Sequence, residues 1–188
     1  MQISHLDGGF TNPAQDAARA FRAALDTMAR PGHIATVTGA AAPAPCSIAA
    51  AVLLLTLCDD TTPIFLATSH DTGDMRAWIT FHTGAPFAAP ETAIFAMGTW
   101  DALQPVSRYA IGTSEYPDRA ATLTVEMDRL VADGATLRGP GIKDRAQLSL
   151  PETAAFQTNR RQFPLGFDCY FTCGDRLAGL PRSTIVEG

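Results

Sequence analysis

The sequence predicts an α/β fold. A nearly unbroken apolar run from Ser47 to Leu57 passes through Asp59-Asp60-Thr61-Thr62-Pro63 into the apolar segment Ile64 to Ala67. A helix buried on all sides that feeds a buried strand across a short turn is the grammar of α/β folds. The closing stretch, Arg160 to Ile185, adds a helix end, a Pro-Gly corner, a strand, a tight turn and a second strand.

The elements follow in chain order. Asn12-Pro13 starts a helix whose Ala17, Phe21, Ala24, Leu25 and Met28 recur at helical spacing until Arg30-Pro31-Gly32 stops it. Asp16, Arg19, Arg22 and Asp26 fall on its other faces, which makes that side either solvated or a partner surface. His33 to Thr38 suits a short strand, and the Ala-Pro stretch after it is a loop. Asp71 or Thr72 caps the next helix, where Met75, Trp78, Ile79 and His82 share a face before Gly84 ends it. A loop with Pro86 and Pro90 leads to a strand over Ala93 to Met97. Asp101 to Tyr109 reads as a short helix that Pro105 disfavours. The alternation over Ala121 to Leu130, the Val131 to Gly134 turn and the extended Ala135 to Arg138 predict a β-hairpin running into Gly139-Pro140-Gly141. Pro151 to Arg161 predicts a helix with Pro in its first turn, Glu152 near its start and Arg160-Arg161 near its end, the charge order that the helix dipole favours.

Composition bounds the function. At 188 residues the chain suits a single domain, residues 1–188, able to bury roughly 70% of its unfolded surface without a staple. Hydrophobic residues make up 46% and charged residues 18%, so some apolar surface is expected to meet a partner. The net charge of -5 and the scattered basic residues give no footprint for nucleic acid. The longest apolar run is too short to cross a bilayer, and the start, MQISHLDGGF, lacks the pattern of a secretory leader, so a cytoplasmic protein with no membrane partner is expected.

Residue chemistry supplies no catalytic set. Cys46, Cys58, Cys169 and Cys173 lack metal or redox spacing. Cys169 and Cys173, four apart in a strand, sit about 13 Å apart, too far for a disulfide. His5, His33, His70 and His82 lack HxxxH or HExxH spacing, so no metal site is expected. No GxSxG elbow occurs, and Lys143 is the sole lysine, placed in a surface turn. Gly139-Pro140-Gly141 is either a plain turn or a backbone nest for an anion, with Arg138 beside it to complete a phosphate contact. Asp168, an acidic residue at a strand start, either pairs with Arg182 or belongs to a polar patch at a ligand pocket or subunit seam. Substrate-binding candidates are therefore Arg138, Gly139, Gly141, Asp168 and Arg182; no catalytic residue is assigned.

Separated blocks carry a family resemblance: AFRAALDTMARPG, AAVLLLTLCDDTTPIFLA, FHTGAP, GATLRGPGI and FPLGFDCYFTCGDRLAGLPRST. In this order they closely resemble the H subunit family, PhnH, of the bacterial carbon-phosphorus lyase system for phosphonate use. Ser183 stands where the family pattern has Thr, and both keep a hydroxyl. The resemblance implies a mixed sheet flanked by helices, similar to the pyridoxal-phosphate-dependent transferase fold but without the cofactor; no cofactor is expected. It also implies a homodimer that joins PhnG, PhnI and PhnJ in a core complex. That system displaces adenine from ATP with a phosphonate to give a ribose 1-phosphonate 5-triphosphate. A required, non-catalytic scaffold or substrate-handling subunit is the role implied here, with a phosphate- or nucleotide-binding subunit contributing to the transferase site as the alternative. The radical chemistry that follows belongs elsewhere, since no cysteine triplet for an iron-sulfur cluster is present.

Overall fold

A computed structural model describes residues 6–188. Residues 1–5, which include His5 and the first half of the segment read above as lacking a leader, lie outside them. The elements run α1 (Pro13–Ala29), β1 (Ile34–Thr36), α2 (Ile48–Leu57), β2 (Ile64–Leu66), α3 (Gly73–Thr83), β3 (Phe95–Thr99), α4 (Trp100–Leu103), β4 (Thr122–Glu126), β5 (Ala135–Arg138), β6 (Ala146–Leu148), α5 (Ala154–Arg161), β7 (Asp168–Cys173), β8 (Arg176–Leu180) and β9 (Ile185–Glu187). The result is a mixed α/β architecture, with a six-stranded sheet in the order β1-β8-β7-β4-β3-β2 and a three-stranded sheet in the order β6-β5-β9. In the large sheet β2, β3, β4 and β7 are parallel, while β8 turns back antiparallel to β7 and carries β1 on its outer edge.

Alternation along the strands divides the interior in two. Ile64, Leu66, Met97, Tyr170 and Leu177 face α1, α2 and α3, where Ala24, Leu54, Trp78 and Ile79 meet them. Ala96, Leu123, Val125, Cys169, Phe171 and Ala178 face the opposite way, toward Trp100, Leu103, Phe156 and the small sheet's Leu137, Leu148 and Val186. The large sheet is thus covered on both faces, which is why its parallel strands read as apolar runs. Among the described residues, no helix is long and apolar enough to cross a membrane.

Several sequence expectations change in the structure. The hairpin expected over Ala121 to Arg138 does not form: β4 lies between β3 and β7 as a central parallel strand, and β5 belongs to the other sheet. Period-2 alternation reports a strand without naming its partner, and Thr124, which made the alternation look half-solvated, is buried. The helix expected over Asp101 to Tyr109 stops at Leu103; after Pro105 only a 3-10 turn over Val106–Arg108 remains. The last helix begins at Ala154 and leaves Pro151 outside.

Helix α1 keeps its expected span but turns a different face inward. Ala20, Ala24 and Thr27 are its buried residues, whereas Phe21 and Leu25 are 50% and 58% exposed. The cause is close packing on β8. A Cβ at Gly179 would lie 2.8 Å from the Thr27 carbonyl carbon and from the Met28 nitrogen, so only a residue without a side chain lets the helix backbone approach. Small residues belong at that contact, and the larger apolar ones are rotated out. Gly179→Ala is therefore expected to lower stability by about 1–3 kcal/mol in urea unfolding. Unchanged stability would show that α1 does not rest on the strand backbone.

Candidate functional site

The carboxyl ends of parallel strands are where α/β sheets gather ligand-binding side chains. Here a cluster of buried polar groups collects at the ends of β2, β3, β4 and β7. Chain leaving β2 turns at Ala67, where the His70 amide donates to the Ala67 carbonyl (2.8 Å), and this turn brings in Ser69 and His70. Ser69 Oγ accepts from the Thr99 amide at 3.0 Å and lies 3.0 Å from His70 Nδ1. Gly98 gives this hydroxyl room, because a Cβ there would stand 3.1 Å from Ser69 Oγ and 2.6 Å from the Ala67 Cβ. Ser69 Oγ and His70 Nδ1 thus share one hydrogen bond, which ties the ring to the turn after β2.

Glu126 closes β4 and faces this imidazole. Its Oε2 accepts from the Ser47 amide at 3.2 Å and from the Thr172 hydroxyl at 3.2 Å. Ser47 is the N-cap of α2, its own hydroxyl accepting from the Ala50 amide at 3.2 Å, so the carboxylate sits at the positive end of a buried helix. His70 Nε2 stands 4.0 Å from Glu126 Oε2, too far for a hydrogen bond, and it has no hydrogen-bond partner among the described residues. The imidazole is 1% exposed.

Burial drives both groups toward their neutral forms. It raises the Glu126 carboxyl above its ordinary value, with the hydrogen bonds from Ser47 and Thr172 opposing. It lowers His70 below 6.5, with the nearby Pro45 carbonyl opposing without completing a bond to Nε2. Cys46, close by, is pushed upward by burial and then by the Glu126 charge, so its thiol stays protonated. Beyond Glu126 opens a cleft of about 380 Å³ lined by Thr99, Trp100, Glu126, Met127 and Ser149, among others. A largely buried carboxylate held by Ser47 and Thr172, with an imidazole 4.0 Å away, is a pair able to exchange a proton.

Two comparisons bear on what carries this cluster. Residues 8–187 match the family described as bacterial phosphonate metabolism protein (PhnH). The chain belongs to the PhnH family. It is 38% identical, over 197 aligned positions covering 99% of this chain and 98% of the relative, to the alpha-D-ribose 1-methylphosphonate 5-triphosphate synthase subunit PhnH of Rhizobium meliloti (strain 1021).

In this PhnH-family chain the residues singled out from sequence lie away from the Glu126 cluster. Asp168 opens β7 opposite Thr122, while Glu126 ends β4 opposite Thr172, so about 13 Å of strand separates the two ends. Asp168 and Arg182 come together. Oδ1 accepts from the Arg182 amide at 2.7 Å and from Nε at 3.1 Å, Oδ2 accepts from Nη2 at 2.6 Å, and Nη1 donates to the Pro117 carbonyl at 2.7 Å. Arg138, at the end of β5, pairs with Glu187 at 3.4 Å. Gly139 and Gly141 both take positive φ, and the corner packs on its neighbours: a Cβ at Gly141 would fall 1.8 Å from the Ala29 carbonyl oxygen. Lys143 is exposed in the turn between β5 and β6. All four cysteines are free, and among the described residues no cluster of three or more His, Cys, Asp or Glu is placed to hold a metal ion.

Sequence reading missed Ser47, Ser69, His70, Glu126 and Thr172, which are spread over 126 residues with no shared motif. The one available signal was position, since Glu126 ends a predicted strand and His70 follows the apolar segment Ile64 to Ala67.

The opposed shifts make a pH test possible. Because the folded chain holds the His70 proton more weakly than the unfolded chain, the unfolded state gains protons first as pH falls below 6.5, and stability drops. Glu126 works the other way, since its raised folded value favours the folded state as pH falls. A His70→Gln variant lacks the first effect. Urea unfolding should then show the stability gap between wild type and His70→Gln narrowing from about pH 7.5 to about pH 5.5; a constant or widening gap would contradict the buried neutral imidazole.

Proposed function

We propose that this chain is a subunit of an alpha-D-ribose 1-methylphosphonate 5-triphosphate synthase in phosphonate breakdown, required with its partner subunits and inactive alone. Near end-to-end similarity to a subunit of that name is the observation that carries the reading. The chemistry of the described residues supports a non-catalytic scaffold or substrate-handling role. The thiols of Cys46, Cys58 and Cys169 are all pushed upward by burial, so none is primed as a nucleophile.

The finer parts of the reading belong to the same proposal. The chain acts as one PhnH-like domain in the cytoplasm, pairs as a homodimer and joins PhnG, PhnI and PhnJ. Its mixed sheet is a relative of the pyridoxal-phosphate-dependent transferase fold that works without the cofactor; the exposed Lys143 supports that absence, since a cofactor lysine needs an enclosing site. In the alternative reading, Arg138, Gly139, Gly141, Asp168 and Arg182 bind phosphate directly. The engagement of Arg182 by Asp168 and Pro117 favours the scaffold, because its guanidinium already has protein acceptors.

Phe21 and Leu25, one turn apart on α1 and half exposed, offer the apolar surface that a subunit contact uses. Co-expression with the partner subunits should recover this chain in a complex on affinity capture and size exclusion. The double variant Phe21→Asp, Leu25→Asp should weaken that recovery or the homodimer while changing folding stability by no more than about 0.5 kcal/mol. Failure of the wild-type chain to associate would overturn the functional reading, and full assembly by the double variant would remove α1 from the interface.

A further inference from the structure

The large sheet has one closed edge and one open edge. At β2 the edge is covered, since the Ile64 amide donates to the Pro86 carbonyl and the Ala88 amide donates to the Ile64 carbonyl, both at 2.9 Å. At the other edge β1 pairs with β8 alone. The Val37 amide donates to the Asp175 carbonyl at 2.9 Å and extends the β1–β8 register, so Ala35 and Val37 turn their backbone groups toward β8. Those of Ile34, Thr36 and Thr38 therefore point away from the sheet, and they have no hydrogen-bond partner among the described residues. His33 to Thr38 carries neither Pro nor Lys, the residues that commonly blunt an exposed edge.

Helix α1 sets what can pair there. His33 Nε2 lies 3.3 Å from Asp26 Oδ2, and Asp16, Arg19, Ala20 and Ala23 line one groove with Thr36 to Gly39, so one flank of α1 runs beside the open edge. Along that flank the order is Asp16, Arg19, Ala23, Asp26, Arg30: minus, plus, a small neutral residue, minus, plus. Reversed end to end about Ala23, this order sets each charge against its opposite, Asp16 against Arg30 and Arg19 against Asp26. Strand and helix share one centre. Gly179 packs on Thr27 and Met28, and the β1–β8 register, continued by one residue, places His33 opposite Gly179. Ala35 lies two residues further on, about 6.6 Å, which equals about four residues of helix and brings it level with Ala23.

We propose that β1 is the seam of a homodimer: a second copy adds its own β1 antiparallel across a twofold axis at Ala35, joining two six-stranded sheets into one. Ile34 then exchanges backbone hydrogen bonds with Thr36 of the partner subunit, while Asp16 and Arg19 face the partner's Arg30 and the partner's Asp26. A strand of unrelated sequence would satisfy the open backbone but not the charge order. Phe21 and Leu25 lie on the opposite flank of α1, where a different subunit can reach them. That a homodimer forms rests on the functional reading above; the choice of β1 rests on the open edge and on α1.

Analytical ultracentrifugation of the isolated chain over a concentration series, with amide hydrogen exchange on the same samples, tests the seam. The wild-type chain should dimerise, and protection of the Ile34 and Thr36 amides should rise with concentration. Thr36→Pro removes an outward amide that bonds nothing within the chain, so it should raise the dimer dissociation constant at least about tenfold in a folded protein. Arg19→Asp should weaken the dimer about threefold or more. The double variant Arg19→Asp, Asp26→Arg restores opposite charges across the axis while setting like charges together within each helix, and it should recover most of the loss; a role confined to the helix predicts a further loss instead. These charge variants decide if Thr36→Pro fails to fold. A monomer at every concentration, a dimer whose Ile34 and Thr36 amides exchange freely, a dimer untouched by a folded Thr36→Pro, or no recovery by the double variant would each overturn the proposal, as would protection that appears only when other subunits are added. If the subunits co-purify while the isolated chain stays monomeric, this inference falls and the subunit reading stands; if the β1 dimer forms yet joins no complex, the subunit reading falls and the seam stands.

Discussion

The Glu126 carboxylate is the interaction on which the centre of the molecule depends. Helix α2 is apolar apart from Thr56 near its end, so nothing in its own sequence beyond Ser47 can satisfy the amides at its start. Glu126 meets that need from the sheet: one oxygen takes the Ser47 amide and the Thr172 hydroxyl, tying α2, β4 and β7 at a single atom. A second tie, from the Ala49 amide to the Gly174 carbonyl at 2.8 Å, fixes the same helix end to the turn between β7 and β8. A hydrogen bond to a charged group contributes about 1.5–3 kcal/mol, against the cost of burying the charge, which is visible as the raised Glu126 value. Burial and anchoring are therefore in tension at this residue, and such tension is common where a fold keeps a side chain for a purpose beyond packing.

Two ends of the sheet have separate work. At the amino end of β7, Asp168 and Arg182 satisfy one another and hold the Pro117 turn, a closed arrangement suited to fixing the corner before β9. At the carboxyl end of β4, Ser47 and Thr172 hold the Glu126 carboxylate, and His70 retains a ring nitrogen with no partner among the described residues. The first end is saturated and the second is not. That contrast moves attention from the charged residues conspicuous in the sequence to a carboxylate that ends a buried strand.

The parts of the fold legible in the sequence were those set by local chemistry. Asn12-Pro13 and Arg30-Pro31-Gly32 bound α1, Thr72 and Gly84 bound α3, and the closing hairpin β7–β8 turns at Gly174 as its tight turn implied. Partner choice was not legible. Ala121 to Leu130 has the alternation of a strand, but its neighbours β3 and β7 lie about 27 and 46 residues away, set by the layering of the whole sheet. The inward face of α1 was misjudged for a related reason: Phe21 and Leu25 are the larger apolar residues, yet Gly179 brings the helix backbone so near that alanines and Thr27 must occupy the seam. The Asp168–Arg182 pair was readable because a charged strand start asks for a partner, whereas the Glu126 cluster draws on five segments that only the folded chain brings together.

Amide hydrogen exchange in a Glu126→Ala variant tests the anchoring claim most directly. The account predicts that Ser47 and the first turn of α2 lose protection by about tenfold or more while α3 keeps its own, since a local tie of about 1.5 kcal/mol or more is removed. Unchanged protection at Ser47 and Ala50 would contradict it, showing that packing alone holds the helix to the sheet.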